Sequence, residues 1–220
     1  VRLRELNKKV TDGAIVSFLN MTERDGKRTY RRSVTLLLQK AVDNLWGDSV
    51  HVRVFYSLGE GYYCELENNS IDDEKLAAIK SEMQQLVELN LPIEKNSVKT
   101  EEAEHRFRDR GMKDKERLLH YRRSSRVNLY SLDGMEDYFY GYMVPSTGYL
   151  GVFDLQLYED GFVLLFPNKD GSKVEPLNTS NKLYHTLKQS REWSRMLGVG
   201  TIGALNDAIA AGKGEQIVLL

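Results

Sequence analysis

The residues whose types and spacing could do chemistry are few. Gly198-Val199-Gly200-Thr201-Ile202-Gly203 fits G-x-G-x-x-G, in which small residues let backbone approach a pyrophosphate at a helix N-terminus. Its surroundings do not suit that use. Arg191 to Leu197 before it has helical character, and no second strand with an acidic residue follows to complete a βαβ unit. The pattern instead predicts a helix stop at Gly198 and a new helix over IGALNDAIAAG. No G-x-x-x-x-G-K-[ST] loop occurs, so ATP has no recognisable cradle in these residues. His51, His105, His120 and His185 are too scattered to share a helix face as metal ligands, and Cys64 is the only cysteine. No catalytic residue, no metal site and no cofactor of its own are expected.

One stretch is strongly charged. Arg106, Arg108, Arg110, Lys113, Lys115, Arg117, Arg122, Arg123 and Arg126 stand against only Asp109, Asp114 and Glu116, a local excess of six positive charges. Guanidinium forks match phosphate oxygens, so Arg106, Arg108, Arg110, Lys113, Arg122, Arg123 and Arg126 are candidate contacts to RNA or to a nucleotide. The competing reading is a solvated helix surface, which most charge runs are. Tyr121, Tyr130, Tyr138, Tyr140, Tyr142 and Tyr149 could stack on bases or simply fill a sheet.

Composition narrows the rest. Over 220 residues, Lys+Arg number 31 and Asp+Glu 32, so no global field favours nucleic acid or an anionic membrane, and electrostatic recognition must be local. A lone cysteine allows no internal disulfide and fits a reducing compartment, the cytoplasm. No apolar run approaches the roughly 20 residues of a membrane span, and VRLRELNKKV lacks the apolar stretch of a signal peptide. Val1 is not an initiator methionine, so the chain reads as a segment of a larger protein cut at its start, and Leu220, which closes the apolar run IVLL, leaves the same reading open at its end.

Periodicity supplies the elements that would position these residues. Val1 to Leu19 reads as strand, Asp12-Gly13 turn, strand, and Arg24-Asp25-Gly26-Lys27 as a further turn. Val34, Leu37, Leu38, Ala41, Val42 and Leu45 then mark a core-facing helix from about Arg31 to Trp46. Val50 to Tyr56 and Tyr62 to Leu66 alternate as a hairpin about Gly59 and Gly61. Asp72 can cap a helix with Leu76, Ile79, Met83 and Leu86 on one face, ending before Pro92. After a strand over PIEKNSV, Thr100 and Asp114 are candidate caps of two short helices, the first stopping at Gly111. From Arg126 to Pro167 four strands (RVNLYSL, YFYGYMV, YLGVFDLQLY, FVLLFP) predict an antiparallel meander, after which the chain turns helical to about Gly212. The class is α+β.

Arg28-Thr29-Tyr30-Arg31-Arg32-Ser33-Val34-Thr35-Leu36-Leu37-Leu38 resembles the start of the editing-type domain of threonyl- and alanyl-tRNA synthetases, whose helix there carries H-x-x-x-H. Gly61 to Leu66 is similar to that family's glycine-aromatic-tyrosine strand, and Asp72 to Leu86 to the helix after it. Glu136 to Pro145 matches the segment that bears the family's C-x-x-x-H. The resemblance puts Arg32 and Leu36 at the two histidine positions and Phe139 and Met143 at the cysteine and histidine positions. It therefore implies a degenerate pocket of an apolar wall with one guanidinium, unsuited to zinc or to polarising water but able to pair with a phosphate or carboxylate or to stack a base. The alternative is that Leu36, Phe139 and Met143 close the old cavity as core.

LRELNKKVTDGAIVSFL resembles the end of the ubiquitin-like (TGS-type) domain that precedes the editing domain in threonyl-tRNA synthetases. The resemblance implies domains at 1–27 (end of a TGS-like β-grasp domain), 28–168 (degenerate editing-like domain, an antiparallel sheet packed with helices) and 169–220 (linker and helices). Together with FDLQLYEDGFVLLFP and REWSRMLGVGTIGALNDAI, the whole resembles the amino-terminal region of uridine kinase-like nucleoside kinases. That implies a parent whose own C-terminal P-loop domain uses ATP or GTP with Mg to phosphorylate a nucleoside, this region being a non-catalytic ligand sensor, RNA-binding module or docking platform. A stand-alone RNA-binding module and an aminoacyl-tRNA editing hydrolase are the alternatives.

Overall fold

The computed structural model describes residues 2–218. In chain order the elements are α1 (Arg24–Trp46), β1 (Val52–Leu58), β2 (Gly61–Leu66), α2 (Asp73–Glu88), β3 (Ile93–Lys99), α3 (Thr100–Asp109), α4 (Lys113–His120), β4 (Arg126–Leu132), β5 (Met135–Tyr138), β6 (Asp154–Tyr158), β7 (Gly161–Leu165), α5 (Asn181–Met196), α6 (Ile202–Ala210) and α7 (Gly214–Val218). The chain divides into two compact units, Val1–Glu94 with Tyr130–Thr179, and Lys95–Leu129 with Ser180–Leu220.

The first unit is built on α1. Its residues from Ser33 to Leu38 are all buried, so the helix is enclosed on every side, and it packs against α2, β1 and β5. An antiparallel sheet of order β1-β2-β7-β6 supplies Cys64, Leu66, Phe162 and Leu164 to the same core. α2 adds Leu76, Ile79, Met83 and Leu86, spaced as one helix face, and starts where the Asp72 carboxylate accepts from Lys75 N at 2.8 Å. Burying this apolar material provides the main drive for folding.

The second unit is helical. α3 packs on α4 and α4 on α6, with Ala103, Phe107, Leu119 and Tyr184 buried. Gly111 ends α3 at φ +71°, a conformation glycine adopts without a Cβ penalty. A second sheet has the order β3-β4-β5.

Several expectations need correction. Residues 2–19 form no strand; the Asp12-Gly13 turn is present, but Ile15, Val16 and Phe18 are exposed and no strand edge pairs with them. Arg24 to Lys27 is the first turn of α1 and no separate turn. Just before it, Asn20 Oδ1 accepts from Thr22 N, and the Glu23 carboxylate accepts from Asn20 N. Neither Thr100 nor Asp114 is a cap. Lys99 and Met112 hold those places, and the Thr100 hydroxyl donates to Ser124 O. The expected single meander is split between two sheets, and its second strand stops at Tyr138, before Gly141 takes φ +127°. The end of the IVLL run, Leu219 and Leu220, lies outside the described residues.

Gly26 generates a test. Alanine in place of glycine inside a helix ordinarily gains about 1 kcal/mol. A Cβ on Gly26 would stand 1.9 Å from the Asn20 carbonyl oxygen, which ends the turn before the helix. Gly26→Ala is therefore expected to destabilise by about 1–3 kcal/mol, as overpacking does. Urea unfolding checks it, and an unchanged or raised midpoint would show that the turn yields freely.

Candidate functional site

The four positions matched to the synthetase motifs lie in the first unit, two on α1 and two in the segment after β5. Leu36 is wholly buried and Met143 nearly so, both inside the main core cluster, and Phe139 is half-buried against that cluster. Arg32, one helical turn before Leu36, is half-buried at the core's edge. Its Nε donates to Tyr142 O at 3.0 Å. Its guanidinium lies against Gly141, where an ideal Cβ would sit 2.5 Å from Arg32 Cζ and push the guanidinium aside, and φ +127° there favours glycine as well.

A second bond fixes the same segment. The Ser33 hydroxyl donates to Thr29 O and accepts from Val144 N at 3.0 Å. Arg32 and Ser33 thus tie residues 142–144 to α1, which seats Met143 in the core. Burial holds the Arg32 pKa below its ordinary value, because desolvation disfavours the charged form.

Sequence reasoning missed two members of this site. Tyr130 appeared only as a base-stacking or sheet-filling residue, yet its hydroxyl reaches Glu5 Oε1 at 2.6 Å and also Gly141 O. Glu5 is buried, and Tyr142 OH donates to Leu3 O at 3.2 Å. No periodicity marks a contact spanning 125 residues of chain. Arg31 was also passed over; it pairs with Glu60 at 2.8 Å and lies over the rings of Tyr62 and Phe166. The signal for it was the aromatic-rich Gly61 to Leu66 strand itself.

The basic stretch lies in the second unit, and much of its charge is locally paired. Arg106 bonds Glu102 at 2.6 Å, while Arg108 bonds Glu104 at 3.0 Å and Glu116 at 2.6 Å. Arg126 is held by Ser97. Arg117 lies 3.4 Å from Asp207, which also accepts from Tyr121 OH. Lys113, Arg122 and Arg123 are exposed and Arg110 is half-buried. The seven candidates therefore do not form one uniform cationic face.

The glycine motif has a packing explanation. Gly198 follows the end of α5 at φ +71°, and Thr201 caps α6 by accepting from Ala204 N at 3.2 Å. A Cβ on Gly203 would stand 2.6 Å from Arg117 Cβ, so this glycine allows the start of α6 to lie close on α4. Among the described residues no three His, Cys, Asp or Glu gather as a metal site requires. No helix among them is long and apolar enough to cross a membrane.

No family model matches the chain. The chain is homologous to a region of threonine–tRNA ligases. It is 29% identical over 156 residues to the enzyme of Syntrophotalea carbinolica and 30% identical over 156 residues to that of Rubrobacter xylanophilus, in each case 70% of this chain and 24% of the relative. To the Listeria welshimeri enzyme it is 34% identical over 146 residues, 66% of this chain and 22% of the relative. The chain thus spans about a quarter of the length of the curated relatives it matches.

Three buried acids in the first unit give a pH dependence. Burial raises the pKa of Cys64 above its ordinary 9.0, and those of Tyr30 and Tyr130 above 10.0; the Glu5 carboxylate adds to the rise at Tyr130. In the unfolded chain the thiol ionises near 9 and the phenols near 10, while the folded chain keeps these protons. The folded state then binds more protons, so stability is fully present below pH 9 and falls as pH rises beyond it. Denaturant midpoints at pH 7.5, 9.5 and 10.5 should decline in that order, and Tyr130→Phe should flatten the decline.

Proposed function

We propose that this chain is a non-catalytic module related to the editing region of threonyl-tRNA synthetases, kept for binding or docking. One observation carries the reading. Two of the four positions matched to the family's water-activating and metal-binding residues, Leu36 and Met143, are sealed into the core, Phe139 packs on it, and Arg32 is bonded to the Tyr142 carbonyl. Leucine and phenylalanine have no donor atom, the thioether of a core-buried methionine is a poor ligand for zinc and no base for water, and an arginine does not deprotonate at working pH.

The partner best matched to the remaining chemistry is RNA or a nucleotide phosphate, met by the exposed Lys113, Arg122 and Arg123. A second reading places the module in front of a P-loop nucleoside kinase domain that uses ATP or GTP with Mg, with that domain as its docking partner. It rests on the sequence of Arg191 to Ile209, which resembles the same region of uridine kinase-like proteins and here forms the end of α5 and most of α6.

The test uses the purified chain with threonine-specific tRNA misacylated with serine. Deacylation is expected to proceed at the rate seen in buffer alone, and enzyme-dependent deacylation would overturn the reading. In the same preparation, tRNA binding followed at rising salt should weaken steeply, and Arg122→Ala with Arg123→Ala should lower the salt slope by about 2.

A further inference from the structure

Arg32 is a partly desolvated cation with no anion. Its only hydrogen bond is from Nε to Tyr142 O, and among the described residues neither terminal nitrogen meets an acceptor and no carboxylate forms an ion pair with it. Its depressed pKa reflects the same environment, since burial disfavours the charge and no close carboxylate restores it. The guanidinium is only partly withdrawn from water, so its terminal nitrogens stay open to an oxyanion that enters from solvent.

The Tyr130 hydroxyl meets it at Gly141, since the Arg32 guanidinium lies against that residue and Tyr130 OH is at hydrogen-bond distance from its carbonyl. A phenol has one proton, yet two acceptors stand at hydrogen-bond distance, Glu5 Oε1 and Gly141 O. They compete for it. The contacts of the segment carrying Glu5 include that one and Tyr142 OH on Leu3 O, while Leu3, Arg4 and Leu6 are exposed. A segment with little apolar burial opens at low free-energy cost.

We propose that Arg32 and Tyr130 form a binding site for a small oxyanion, and that Leu3–Glu5 is a displaceable strap whose Glu5 carboxylate occupies the Tyr130 end of that site. The two terminal nitrogens of Arg32 present the fork that accepts two oxygens of one anion, and Tyr130 turns its proton from Glu5 to the ligand. A carboxylate and a phosphate share this chemistry. The site holds whether or not the chain binds RNA or docks on a kinase domain.

Isothermal titration of the full chain with inorganic phosphate and, separately, with acetate at constant ionic strength distinguishes the two sources. Hydrogen exchange at residues 3–7 reports the strap. One of the anions is expected to bind saturably and to speed exchange at the strap. Glu5→Ala, which removes the internal competitor, should tighten binding by about three- to tenfold, and Arg32→Gln should weaken it by about tenfold or more. Arg32→Lys keeps a charge but not the fork and should also weaken binding, so the idea stays testable if the glutamine variant fails to fold. Absence of saturable binding by either anion in both wild type and Glu5→Ala overturns the site. Binding unaffected by either Arg32 substitution overturns it as well. Binding that leaves exchange at residues 3–7 unchanged, with no gain in Glu5→Ala, overturns the strap.

Discussion

The first unit depends on burying the middle of one helix on all its faces. Every side chain of α1 from Ser33 to Leu38 is out of water, so each polar group on that stretch must find a partner within the protein. Two bond back along the helix, Ser33 to Thr29 O and Thr35 to Arg31 O. One turn further on, buried Lys40 donates to Asp133 O at 2.8 Å and lies near Asp43 and Asp133. Ser33 also receives Val144 N, and that bond together with Arg32 on Tyr142 O draws an irregular segment across the helix. The backbone after Tyr138 would otherwise expose apolar Met143; tied down, it closes the core.

That closure bears directly on the four positions that the resemblance to a synthetase motif singles out. A site that activates water needs polar side chains, open to solvent or substrate, at fixed spacing. Three of these positions, Leu36, Phe139 and Met143, are apolar and pack in or on the core, while Arg32 stays at its edge. The space contributes packing to the core. What polarity remains has moved to its edge, onto Arg32, Tyr130 and Glu5.

The second unit shows how little a charge run says before its neighbours are known. Arginines at 106 and 108 are matched by glutamates four residues earlier, a spacing that stabilises the helix itself by a few tenths of a kcal/mol per pair. Exposed pairs of this kind are worth little and screen readily. Past the end of α4, Arg122 and Arg123 lie on irregular, exposed backbone.

By itself the sequence determined what periodicity and local chemistry encode: α1, the hairpin of β1 and β2, α2 with its Asp72 cap, the stops at Gly111 and Gly198, the helices after Ser180, and the α+β class. Each rests on contacts within a few residues, so short-range pattern suffices. For Leu36, Phe139 and Met143 it left a pocket wall and core filling both open. Only the tertiary structure decided that β7 pairs with β2, so that the expected meander divides between two sheets, because strand order is set by contacts a hundred residues apart. It decided as well that Gly203 serves helix packing, that residues 2–19 have no strand to pair with, and that Glu5 reaches Tyr130 beside Arg32. Those facts depend on which surfaces meet after the chain has folded, and no spacing along the chain records them.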